Sequence, residues 1–153
     1  MDTTQLIRVL KKYKFTKRTF CGVIPIDKLP IRKIKRPCSF IINTDPSSLP
    51  GEHWVAIFVP RIGKIEYFDS YGRPPDNSKI LDFIKINGGE WEFNDKRIQG
   101  VKTITCGKFC VLYLAYRSVG ITKKYFLNLF TNNLEQNEML INRLFNKLYK
   151  RIH

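Results

Sequence analysis

The chain has 153 residues, 43% of them hydrophobic and 26% charged, and a formal net charge of +14 at pH 7. That length and balance fit one globular domain, residues 1–153, with a core of its own, and exclude a disordered tail or a disulfide-dependent miniprotein. No run of about 18 apolar residues is present to cross a bilayer, and MDTTQLIRVLKKYK lacks the basic, apolar, small-residue order of a secretory leader, so an intracellular protein with no membrane partner is expected.

The charge is unevenly placed. Residues 1–36 hold 11 Lys/Arg against 2 acids, residues 37–116 hold 9 against 9, and residues 117–153 hold 7 against 2. A neutral middle with basic flanks points either to a chemical unit wrapped by segments that meet a polyanion, or simply to well-solvated helix faces.

In chain order, TTQLIRVLKKY carries Leu6, Ile7, Val9, Leu10 and Tyr13 at near-helical spacing and predicts a basic amphipathic helix. Residues 20–50 contain Pro25, Pro30, Pro37, Pro46 and Pro50, which rule out a long helix and predict extended segments and turns. Residues 52–59 and 64–69, separated by a short turn at Arg61, Ile62 and Gly63, predict a hairpin rich in β-branched and aromatic residues. A helix follows in SKILDFIKING, with Ser78 as its N-cap, then a strand in EWEFN. CGKFCVLYLAYRSVG is apolar enough for a buried helix closing at Gly120, and TKKYFLNLF and NNLEQNEMLINRLFNKLYKRI predict two more helices. The expected class is α+β: a central mixed sheet with flanking helices.

Of the two histidines, His153 is terminal, so imidazole chemistry falls on His53, where a loop meets a predicted strand. Alone, such a histidine is more often structural. If the hairpin residues pair symmetrically about the turn, however, His53 and Asp69 come close to facing, and a carboxylate there holds the ring in one tautomer. Asp69 is equally suited to opening the DSYG turn. Cys106 begins the buried helix with Gly107 after it. A thiol at a helix N-terminus sees unpaired N–H groups and the positive end of the dipole, which favour thiolate. Gln99, seven residues before Cys106, offers a side-chain amide for an oxyanion, and the Cys106 backbone N–H offers a second donor.

The motifs PGEHWVAIF, YFDSYG, IQG and CGKFC, in that order, resemble those of the adenovirus protease (adenain-like) family of cysteine peptidases, also found in Maverick/Polinton elements, across roughly residues 20–120. The resemblance implies His53 as base, Asp69 as its orienter (the adenovirus enzyme carries Glu), Gln99 as oxyanion donor and Cys106 as nucleophile, on a helix packed against the sheet. It also implies viral precursor proteins as substrates, cut beside glycine and other small residues, in the host cell and the virion. DNA stimulation fits the basic ends. No cysteine lies between Asp69 and Cys106, where the adenovirus enzyme bonds its activating peptide, so a disulfide link to such a peptide is not carried over, while a peptide or DNA activator stays open. No cofactor is required, and a monomer is expected. The related proteases of SUMO-like modifiers place Asp directly before the nucleophile and Gln six residues before it. Thr105 and a spacing of seven lean toward the viral branch.

Trp54 and Gly107 adjoin the site, Trp54 equally as a core aromatic. Cys110 reads as a core filler, and Cys21 and Cys38 as structural thiols. The four cysteine spacings match no compact zinc pattern. A non-catalytic DNA-binding module is the competing reading, with Arg32, Lys33, Lys35, Arg36, Lys147, Lys150 and Arg151 as the candidate contacts. Alkylation separates the two, because it silences a thiol peptidase and spares salt-dependent DNA binding.

Overall fold

The computed structural model describes residues 1–49, 51 and 53–153. Pro50 of the predicted loop and Glu52, predicted as a strand residue, lie outside the described residues. The chain opens with α1 (Thr3–Lys12), closed at its start by a reciprocal capping box in which Asp2 Oδ1 accepts the Gln5 N–H and Gln5 Oε1 accepts the Asp2 N–H. The proline-rich stretch then resolves into β1 (Phe20–Pro25), a single 3₁₀ turn (Ile26–Lys28) and β2 (Cys38–Asn43). β3 (Trp54–Val59) and β4 (Ile65–Phe68) form the predicted hairpin. α2 (Ser78–Ile86) is capped by Asn77 rather than Ser78, since the Asn77 side chain accepts the Lys79 N–H at 2.9 Å. β5 (Trp91–Phe93), α3 (Cys106–Ser118), α4 (Lys123–Asn128) and α5 (Leu134–Ile152) complete the chain.

The strands form one mixed sheet in the order β1-β2-β3-β4-β5, with β1–β2 and β4–β5 parallel and the inner pairings antiparallel. Side chains alternate between two cores, as a strand requires. Ile41, Ala56, Phe58 and Phe68 face α1, α3, α4 and α5, while Ile42, Val55, Ile57 and Tyr67 face α2 and the 3₁₀ turn. α3 is apolar around nearly its whole circumference because it lies between the sheet and the outer helices. Its N-terminus meets the edge of the sheet where β3 starts and β4 ends, and this junction gathers the reactive side chains.

Candidate active site

His53 stands one residue before β3 and Asp69 one residue after β4, so two strand ends hold them. The hairpin pairs Ala56 with Phe68, Ile57 with Tyr67 and Phe58 with Glu66. Continued outward, that register sets position 53 across from 71, as symmetry about Ile62 requires. Tyr71 accordingly stacks on the imidazole, with centroids 4.7 Å apart and planes 23° from parallel. Asp69 reaches the same ring diagonally: its Oδ1 lies 2.8 Å from His53 Nε2. Oδ1 also accepts the Tyr71 N–H at 2.8 Å, and Asn94, at the end of β5, accepts the Asp69 N–H at 2.9 Å. A carboxylate so restrained fixes the imidazole edge that faces it.

With Nε2 committed to Asp69, the nitrogen left for the thiol is Nδ1, and the imidazole and the Cys106 thiol each favour the other's charged form. Burial works against the charged imidazole, but the bonds to Asp69 and Cys106 outweigh it and raise the His53 pKa to about 9. Burial likewise works against the Cys106 thiolate, yet His53 and the backbone N–H groups of Trp54 and Gly107 outweigh it and bring the thiol below its ordinary range. A raised imidazole and a lowered thiol are the two signatures of a thiolate–imidazolium pair. Gly107 lets α1 approach this turn: a Cβ at that position would lie 3.1 Å from Leu6 Cδ2.

Cys110, one turn along the same helix, has the opposite character. It is fully buried, its Sγ donates to the Trp54 carbonyl at 3.4 Å, and burial pushes its pKa well above the ordinary thiol value. The backbone of Trp54 therefore touches both cysteines, stabilising a thiolate with its N–H and holding a neutral thiol with its carbonyl. All four cysteines are free, and exposed Cys21 donates to the Thr19 carbonyl at 3.5 Å. Among the described residues no group of three or more His, Cys, Asp or Glu is gathered as a metal site requires.

Gln99, expected in a polar loop, is wholly buried. Its Oε1 accepts the Ser70 hydroxyl, and its Nε2 donates to the carbonyl and the hydroxyl of Thr103, each at 3.1 Å. The Thr103 carbonyl can only accept, which fixes the orientation of the amide. Donation to an oxyanion at Cys106 thus requires Nε2 to turn one N–H away from Thr103.

Sequence reasoning missed Tyr71 as a lid on the histidine, Asn94 as the anchor of Asp69, and Ser70 as the link to Gln99. It also missed the guanidinium groups of Arg73 and Arg97, which lie 5.1 and 5.0 Å from the Tyr71 ring centre. Gly72, which closes the turn at φ 72°, was legible only as a turn residue. A Cβ there would sit 2.7 Å from the backbone of Lys96 and Arg97, so the turn fits against the Gln99 segment only with glycine. Of the candidate phosphate contacts, Arg36 is spent inside the fold, donating to the carbonyls of Pro60, Gly63 and Asn87. Arg32, Lys33, Lys35, Lys147, Lys150 and Arg151 are exposed.

No protein-family model matches the chain. Among curated proteins, the cysteine protease of an African swine fever virus tick isolate from Malawi is 30% identical over 133 residues, covering 76% of this chain and 49% of the relative. This chain is similar to the African swine fever virus cysteine protease. The counterpart from a Kenyan pig isolate, named a SUMO-1 cysteine protease, is 29% identical with the same coverage. The chain spans about half the length of the curated relatives it matches. In three dimensions, the crystal structure of the African swine fever virus protease aligns with a TM-score of 0.62 at 20% identity, over 92% of this chain and 65% of that one. The central domain of an uncharacterized Legionella pneumophila protein aligns with a TM-score of 0.50 at 12% identity, over 97% and 98% of the two chains. The fold is thus the mixed α+β fold of the swine fever virus protease, as the motif order implied.

Proposed function

We propose that the chain is a thiol endopeptidase of viral type. The observation that carries this reading is the series Asp69, His53, Cys106, in which Asp69 bonds the imidazole while the imidazole is raised and the thiol lowered at the N-terminus of a buried helix. The similarity to a viral cysteine protease supports it from outside the site.

In the proposed reaction Cys106 Sγ attacks the scissile carbonyl and forms a tetrahedral oxyanion, with the Cys106 N–H and the Gln99 amide as its donors. Collapse breaks the C–N bond, the His53 proton passes to the leaving amine, and a thioester remains on Cys106. Water then attacks the thioester as His53 takes its proton, releasing the acid and restoring the thiol. Asp69 keeps Nε2 occupied throughout, so that Nδ1 faces the sulfur.

Viral capsid and core precursors, met in the infected cell and the virion, are the proposed substrates, in line with the resemblance to adenain-like peptidases. A second reading, cleavage of SUMO-like proteins, is supported by the name of one curated relative. The exposed cations of the RKIKR segment and of α5 support DNA as an activator or track, acting on a monomer with no cofactor of its own. Incubating the protein with capsid precursors and with a SUMO precursor, with and without DNA, and mapping cuts by mass spectrometry separates these readings. Cuts in viral precursors that vanish in Cys106→Ala are expected. Cleavage of the SUMO precursor alone would select the second reading, equal rates without DNA would remove the activator, and no thiol-dependent cut in any substrate would refute the peptidase.

A further inference from the structure

The segment from Gln99 to Thr105 carries the oxyanion amide at one end and the N-cap of the nucleophile helix at the other, and it has no regular secondary structure to hold it. The Thr105 side chain makes no N-cap bond to α3. Three of its bonds run to one side chain of α5. The Glu138 Oε1 accepts the Gly100 N–H at 3.0 Å and the Thr103 hydroxyl at 2.9 Å, and its Oε2 accepts the Thr105 hydroxyl at 2.6 Å. Asn137, beside it and buried, donates to the Ile98 carbonyl at 3.1 Å. One carboxylate thereby restrains three residues of the segment, and Thr103, which it holds, is in turn the acceptor of Gln99 Nε2.

The network continues to the far side of the site. Gln99 Oε1 accepts the Ser70 hydroxyl, and the Ser70 carbonyl accepts the N–H groups of Ile98 and Gln99 at 3.0 and 3.1 Å. Ser70 follows Asp69 directly. Glu138 is thus coupled through Thr103 and Gln99 to the turn that bears the His53 partner, while its own carboxylate bonds go to Gly100, Thr103 and Thr105.

Resting on the peptidase reading above, we infer that Glu138 is a positioning residue for the oxyanion donors: it sets the Gln99 amide and the first turn of α3 relative to each other. Hydrogen bonds to a carboxylate are short and strong, and three converging on one group fix a loop in a way that a neutral side chain at this place does not. The effect belongs to the tetrahedral step. Formation of the thiolate depends on His53 and on the Trp54 and Gly107 N–H groups, none of which Glu138 contacts.

The test compares Glu138→Ala and Glu138→Gln with the parent, using three readouts: steady-state cleavage of a peptide substrate, inhibition by the matching peptide aldehyde, and the rate of Cys106 alkylation by iodoacetamide against pH. The aldehyde forms a tetrahedral adduct that needs the oxyanion donors, whereas alkylation needs only the thiolate. Glu138→Ala is expected to lower kcat by about 10²-fold, the scale of one lost oxyanion donor, with little change in KM. Aldehyde affinity falls in parallel and the alkylation profile stays that of the parent. Glu138→Gln, whose amide oxygen accepts from Gly100 and Thr103 while its nitrogen donates to Thr105, restores most of kcat. If Glu138→Ala does not fold, Thr105→Val removes the bond from Glu138 to the residue before Cys106, leaves the acceptors of Gln99 Nε2 in place, and is expected to lower kcat and aldehyde affinity together. Parent-like kcat in the folded variant, or an alkylation rate that falls by the same factor as kcat, overturns the inference while leaving the peptidase reading intact. A parent chain without thiol-dependent cleavage removes the peptidase reading and the inference together.

Discussion

The two ends of α3 each hold an ion pair against the sheet, and they use it in opposite ways. At the C-terminal end Arg117 grips Glu66 of β4 with Nε at 2.8 Å and Nη2 at 2.7 Å, and the Tyr113 hydroxyl donates to the same carboxylate. Arg117 also lies over the Phe58 ring and donates to the Ile121 carbonyl at 2.7 Å. The guanidinium stays charged at any working pH, and its pair with Glu66 is closed on all sides, so it locks helix to sheet. At the N-terminal end the pair is a thiol and an imidazole, which can pass a proton between them. The backbone N–H of Gly107 at the helix start favours its thiolate. Permanent charge with saturated bonding gives rigidity, whereas exchangeable charge with spare donors gives chemistry.

The largest expected effect separates the ends by activity. Cys106→Ala lowers kcat by roughly 10⁵- to 10⁶-fold, as expected for loss of a nucleophile, while the thermal midpoint stays near the parent's. Asp69→Asn follows at about 10³- to 10⁴-fold, because the amide no longer fixes the ring or stabilises the imidazolium, and the alkaline limb of the rate profile moves down from about pH 9. Glu66→Gln at the other end reverses the pattern. It costs about 2 kcal/mol in urea unfolding by leaving the half-buried Arg117 without its counter-charge, and the folded fraction cleaves at the parent's rate. The smallest effect is that of Cys110→Ala, about 1 kcal/mol of stability with kcat close to the parent's, since this neutral thiol only fills the core. A Glu66→Gln enzyme that is stable but inactive would break the comparison, as would a Cys110→Ala enzyme that loses activity without losing stability.

What the sequence made legible follows how local each signal is. α1, α2, α3 and α5 were readable because periodicity and end signals lie within each segment. The hairpin was readable from its turn, and pairing about that turn brought His53 and Asp69 close, although Tyr71 rather than Asp69 takes the place directly opposite His53. β1 and β2 were hidden among prolines, which here sit at strand ends and in loops rather than inside the paired run. Cys106, His53 and Asp69 stood out through their order and spacing. The groups that hold them did not. Asn94, Ser70 and Glu138 are common polar residues whose meaning comes only from tertiary contact, and Gln99 looked like loop surface until its burial was seen. Arg36 erred the other way: a cation in a basic run proved to be bound to three carbonyls.

The central claim is that Cys106 and His53 rest as a thiolate–imidazolium pair. Its most direct test is the rate of iodoacetamide modification at Cys106 as a function of pH, followed on the Cys106 peptide by mass so that exposed Cys21 does not contribute, in the parent and in His53→Ala. The pair predicts alkylation of the parent that persists below the ordinary thiol range of about 8.5, and a profile that rises to that range when the imidazole is removed. A parent Cys106 that titrates as an ordinary or buried thiol, with a profile unmoved by His53→Ala, would contradict it.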